Sequence, residues 1–158
     1  MRQALLIIDV QPCFSPPPWL VEGIRSLICA LPSVATVERH DETATPFQRQ
    51  LSRHLATDDD GLIAADRIFI KHGYVPFADS IDYLKRLKLD RVLVCGLQTE
   101  NCCLTAGFAL FDAGLQPTLL TDLTVGSSLD RSAEEEAKEK RRPGQIAQLQ
   151  AEQARADQ

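Results

Sequence analysis

Ala4-Leu5-Leu6-Ile7-Ile8-Asp9-Val10 is an aliphatic run interrupted only by an acid near its end. It has no polar face, so it reads as a strand covered on both sides. Strands of that kind belong to parallel sheets with helices above and below. Arg67-Ile68-Phe69-Ile70-Lys71 and Arg91-Val92-Leu93-Val94-Cys95 repeat the theme, as do Ser33 to Val37 and Gln116 to Thr121. Between them lie segments with helical spacing: Trp19 to Ala30 after Pro16–Pro18, Ala78 to Leu89, and Cys102 to Ala113 ending at Gly114. A shorter helix fits Phe47 to His54, inside the polar stretch Glu38 to Asp66. Strands alternating with helices at this rhythm predict an α/β fold, a three-layer α/β/α sandwich on a mainly parallel sheet of about five strands.

At 158 residues the chain has the length of one domain. A formal charge of −5 gives no overall attraction for nucleic acid or an anionic membrane. Only Lys138 to Arg142 forms a local basic cluster. No segment reads as a secretory signal, and none approaches the roughly 20 apolar residues of a membrane helix. The five cysteines (13, 29, 95, 102 and 103) are odd in number, and most sit in or beside apolar stretches. That pattern argues for free thiols in a reducing compartment rather than a disulfide framework. The expected setting is the cytoplasm, and the expected partner is a small-molecule substrate, not nucleic acid or a membrane.

Three chemically capable residues follow or close strands: Asp9, Lys71 and Cys102. In an open parallel sheet the carboxyl ends of the strands form the crevice where ligands bind, so residues distant in sequence can meet there. A thiol must become a thiolate to attack a carbonyl. A helix start and a nearby Lys71 ammonium would favour that charge, and Asp9 could take the thiol proton and return it to a leaving amine. Backbone N–H groups of the turn before Cys102 could hold a developing oxyanion.

Leu6-Ile7-Ile8-Asp9-Val10-Gln11 with Phe14, Lys71 before Gly73-Tyr74 and Phe77, and Val94-Cys95-Gly96-Leu97-Gln98-Thr99-Glu100-Asn101-Cys102-Cys103 stand in this order. Together they resemble the motifs of isochorismatase-like cysteine hydrolases, the last being similar to that family's Gly-x-x-Thr-x-x-Cys nucleophile loop. Thr105-Ala106, Ala113-Gly114 and Asp122 continue the likeness, which runs from Leu5 to about Asp130. The resemblance implies Asp9 as general acid and base, Lys71 as electrostatic partner and Cys102 as nucleophile, with no cofactor. It also implies a cis peptide between Leu97 and Gln98 that shapes an oxyanion hole with Cys102. The cysteine branch hydrolyses amides and related C–N bonds through a covalent thioester.

Phe14, Trp19, His40 and Phe77 are expected to line the substrate pocket, and Cys13, Cys29, Cys95 and Cys103 to serve packing. Metal-binding amidases of the family carry Asp-x-His where this chain has Glu38-Arg39-His40. With glutamate for aspartate and no convincing later histidine, Glu38 and His40 are read as a polar loop without metal.

Residues 1–130 read as the hydrolase domain. The segment 131–158, rich in Glu, Lys, Arg, Gln and Ala, replaces the family's usual further helix and sixth strand. It has a capping signature at Ser132/Glu135 and a break at Pro143-Gly144, and its apolar content predicts a helical or disordered tail that packs little. The fifth strand would then be an open edge, prone to homo-oligomer formation. Two other readings share these residues: a truncated or non-catalytic member serving binding or assembly, and a redox-responsive thiol protein using Cys102–Cys103.

Overall fold

The computed structural model describes residues 1–76, 78–127 and 132–157, the side chains at 132–135 excepted. Five strands form one sheet: β1 (Gln3–Ile8), β2 (Ser33–Glu38), β3 (Arg67–Lys71), β4 (Arg91–Leu97) and β5 (Pro117–Val125). The order is β3-β2-β1-β4-β5 and every pairing is parallel. β1 is central, with Leu5 opposite Ser33 on one side and Leu93 on the other. All six of its residues are buried, as its aliphatic run requires.

Side chains alternate between the two faces of a strand, so β1 feeds two cores. Leu5 and Ile7 pack with Leu20, Ile24 and Leu27 of helix α1 (Pro18–Ile28). Ala4, Leu6 and Ile8 pack with Leu84 of α3 (Ala78–Arg86) and with Ala106 and Leu110 of α4 (Leu104–Asp112). Each buried Leu or Ile contributes about 1.5–3 kcal/mol. A short α2 (Phe47–Leu51) lies between β2 and β3. The chain leaves β1 in one direction across the sheet and returns past it from β3 to β4. Right-handed crossovers therefore place α1 on one face and α3 and α4 on the other. The strand order reverses between β1 and β4, which opens a crevice at their carboxyl ends.

Gly96 fixes the closeness of those two strands. It pairs with Ile8 and has φ +120°, and a Cβ there would lie 2.2 Å from the Ile8 carbonyl oxygen. Only glycine fits.

Helix α4 leaves one face open: Leu104, Phe108 and Phe111 are 47%, 61% and 69% exposed. Among the described residues no element crosses outward from β5 to cover that face. The expectation of a tail that packs little is corrected. The C-terminal segment instead forms one long helix, α5 (Ser132–Ala156), which runs through Pro143 and lies on the α1 side. Leu149 enters the core there, with Ile146 packed against it. Polar stems supply the remaining grip. Lys138 is buried and donates to the Thr124 carbonyl at 2.8 Å, and Arg141 holds Asp122 at 2.8 Å. The Arg142 guanidinium lies 5.1 Å from the Trp19 ring centroid. A count of large apolar residues misses this packing, because lysine and arginine bury their methylene stems while their heads find partners. The proposed Ser132 cap and the segment around Leu129 and Asp130 lie outside the described residues.

Candidate active site

Asp9 follows β1 directly, in a left-handed conformation with φ 50°. That turn aims its carboxylate across the end of β2, where Oδ1 accepts the Thr36 hydroxyl at 2.8 Å. Lys71 ends β3, one strand further out, and its long stem reaches back across β2. Its Nζ lies 2.8 Å from Asp9 Oδ2 and donates to Glu38 Oε2 at 2.7 Å and to the Gly73 carbonyl at 2.6 Å. The Cys102 Sγ is 3.7 Å from the same Nζ. All four side chains are buried, with Lys71 only 1% exposed. Asp9, Lys71 and Cys102 thus meet at the crevice, and Glu38 is a fourth member that the sequence reading did not assign to the cluster.

Gln11 locks Glu38 in place. Its side-chain oxygen accepts the Glu38 backbone N–H at 2.6 Å, and its Nε2 donates to the Glu38 carbonyl at 3.0 Å. Glu38 Oε1 is left buried with no hydrogen-bond partner among the described residues. An acid closing a buried strand was the available signal for Glu38. Its resemblance to a metal motif pointed elsewhere.

Cys102 sits in a π-helical turn, Thr99–Cys103, between β4 and α4. Turns of this kind are uncommon and often mark functional positions. The expected cis peptide is absent: every described peptide is trans, Leu97–Gln98 included. Gln98 instead takes a left-handed conformation, φ 60° and ψ 68°, which turns the chain sharply from strand to helix. Cys103 points the other way, its Sγ 3.2 Å from the Leu97 carbonyl within the core.

Opposing electrostatic effects act on the sulfur. Burial pushes the Cys102 thiol up to about 12, and the Asp9 and Glu38 carboxylates add to it, while Lys71 opposes them. Lys71 thus favours the thiolate while burial and the two carboxylates favour the thiol, whose sulfur lies 4.0 Å from Gln98 Oε1. Burial works to lower the Lys71 pKa, but the Asp9 and Glu38 carboxylates, and the Cys102 sulfur whenever it is ionised, outweigh it and hold the ammonium protonated. Burial also raises Glu38, against the pull of Lys71.

A small cavity of about 20 Å³ lies over the sulfur, room for about one water. Asp9, Phe14, Glu38, Phe47, Arg53, Leu55, Tyr74, Gln98 and Cys102 line it. Phe14 is where the sequence placed it. Trp19 is not among the lining residues and packs under Arg142. His40 also lies outside the lining, with Nε2 3.0 Å from the Glu42 carboxylate. Phe77 lies outside the described residues. Phe47, Arg53, Leu55 and Tyr74 were missed because they come from the polar stretch between β2 and β3 and its continuation, where no periodicity guides a reading. Glu38 is held by Lys71 and His40 by Glu42, and among the described residues no group of three or more His, Cys, Asp or Glu is placed to hold a metal. No helix among them is long and apolar enough to cross a membrane.

Comparison with known proteins places this geometry in context. The structure resembles N-carbamoylsarcosine amidase from Thermoplasma acidophilum, with a TM-score of 0.68 and 22% identity over 85% of this chain and 90% of that one. It resembles a cysteine hydrolase from Pseudomonas syringae pv. phaseolicola, with a TM-score of 0.69 and 16% identity over 95% and 93%. A nicotinamidase/pyrazinamidase from Acinetobacter baumanii gives 0.63 and 18% over 94% and 93%. At these identities the likeness establishes the fold. No curated protein matches the sequence. The sequence profile of one family, described as an isochorismatase domain, matches residues 3–153.

Proposed function

Because the chain belongs to the isochorismatase family, we propose that it is a cysteine hydrolase that cleaves a small-molecule amide or related C–N bond. The observation that carries this reading is the buried contact of Lys71 with both Asp9 and the Cys102 sulfur, at 2.8 and 3.7 Å. Asp9 takes the thiol proton as Sγ attacks the carbonyl carbon. The oxyanion that develops is held by N–H groups of the Gln98–Cys102 turn, with Lys71 countering the added charge. Asp9 then gives the proton to the leaving nitrogen, the C–N bond breaks, and a thioester remains. Water, deprotonated by Asp9, attacks the thioester and releases the acid and the thiol. Glu38 Oε1, buried and unpartnered, accepts an N–H of the substrate amide.

A raised thiol pKa suits this concerted proton transfer. All five cysteines are free, which fits work in a reducing compartment such as the cytoplasm. Ammonia release from a panel of small amides tests the proposal. Turnover that survives Cys102→Ala would overturn it.

Self-association belongs to the same proposal, with a second copy of this chain as the occupant. Leu104, Phe108, Phe111 and Leu119 form one exposed apolar patch beside β5, whose outer edge is unpaired among the described residues. The patch exposes on the order of 400 Å² of apolar side chain, within the range where the largest patch of a monomer is often functional. That is about half of the roughly 800 Å² per partner of a standard interface, so pairing along the β5 edge would have to supply the rest. Sedimentation is expected to give a dimer that Phe108→Glu dissociates. A monomer at all concentrations would refute it.

A further inference from the structure

The two carboxylates in the cavity both face Lys71. Arg53 lines the same cavity without such a match. Its Nη1 donates to the Tyr74 hydroxyl at 3.1 Å, and among the described residues no carboxylate is close enough to pair with it. The side chain is half-buried against walls that include Phe14, Phe47 and Leu55. Its backbone is pinned as well, since the Arg53 N–H donates to the Phe47 carbonyl at 3.2 Å, just past the left-handed Ser52.

A guanidinium partly withdrawn from water with no anion beside it is poorly compensated. It also presents a planar fork of N–H donors that matches a carboxylate in two-point geometry. Depth orders the cavity: Cys102 is 7% exposed at its floor, while Arg53 reaches solvent at its rim. The space beside the sulfur is small, about that of one water, so the greater part of a substrate lies further out. The far end of a short substrate must then lie at the rim, against Arg53 and the Tyr74 hydroxyl.

We infer that Arg53 binds a carboxylate on the substrate, which makes the substrate class a short amide or carbamoyl compound bearing a free acid. The inference rests on the hydrolase reading for its chemistry, but the anion site can be tested without turnover. Cys102 alkylation by N-iodoacetylglycine, whose carboxylate lies well beyond the reacting carbon, is compared with alkylation by its neutral glycinamide counterpart, followed by mass spectrometry of the Cys102 peptide. The anion-to-neutral rate ratio is expected to fall at least tenfold in Arg53→Gln and less in Arg53→Lys, which keeps the charge but loses the fork. In parallel, kcat/KM is measured for succinamate and for butyramide, its neutral counterpart. The preference for succinamate is expected to fall at least tenfold in Arg53→Gln, mainly through KM. An alkylation ratio unchanged by Arg53→Gln, or equal losses for both amides, overturns the inference and leaves the hydrolase reading intact. An Arg53-dependent alkylation ratio with neither amide hydrolysed upholds the anion site while counting against the hydrolase.

Discussion

At the scale of single residues, the site is a charge-balancing problem around one ammonium. Lys71 holds two carboxylates and lies beside a thiol, all buried. Glu38 adds negative charge near the sulfur and so helps to keep it protonated. Removing that charge in Glu38→Gln is expected to lower the midpoint of the pH–rate profile for iodoacetamide alkylation of Cys102 by about one unit, tenfold in thiolate at fixed pH. A midpoint that stays or rises would show that Glu38 matters only for placing Lys71. Asp9, Lys71 and Cys102 were legible in the sequence because each lies at or just beyond a strand end, inside a recognisable motif. Glu38 and Arg53 were not. Glu38 closes a buried strand, a signal masked by its likeness to a metal motif. An arginine in a polar stretch usually means a solvated surface, and only the fold reveals that Arg53 lines the cavity.

At the scale of elements, β1 and β4 were readable because an aliphatic run has few other ways to be satisfied. Their separation was not, since it depends on one missing Cβ. Gly96→Ala would drive a methyl into the Ile8 backbone, which cannot swing aside as a side chain would. Thermal melting is expected to show a loss of more than about 3 kcal/mol, or no folded protein. A change under 1 kcal/mol would mean that the strands part easily. The same packed layers bury Cys95, Cys102 and Cys103, and burial is the largest cause holding all three thiols protonated. Unfolded thiols ionise near pH 8.5, so above that pH the unfolded chain carries fewer protons and stability falls as pH rises towards the folded values. Lys71, raised in the fold, adds a loss in the same direction above about pH 10.4. The urea midpoint is expected to be lower at pH 10.5 than at pH 8. A higher midpoint would contradict this balance.

At the scale of the whole molecule, helix α5 decides how complete the domain is. The sequence argued for a loose tail from its shortage of large apolar residues, yet Leu149, Lys138, Arg141 and Arg142 together dock it on α1 and β5. Leu149→Ala is expected to cost about 2–3 kcal/mol in denaturant unfolding and to expose α5 to protease. Rapid cleavage of α5 in the unaltered protein would instead restore the picture of a loose tail. With α5 on the α1 side, the opposite face of the sheet keeps its exposed Phe108 and Phe111, while the crevice between β1 and β4 is fully assembled from residues before position 103. The claim that this crevice performs covalent hydrolysis is tested most directly by rapid-quench mass spectrometry of the protein mixed with a small amide substrate. The expected result is a transient acyl adduct on the peptide containing Cys102, absent in Cys102→Ala and retained in Cys103→Ala. Undiminished turnover in Cys102→Ala, or an adduct on any other residue, would contradict it.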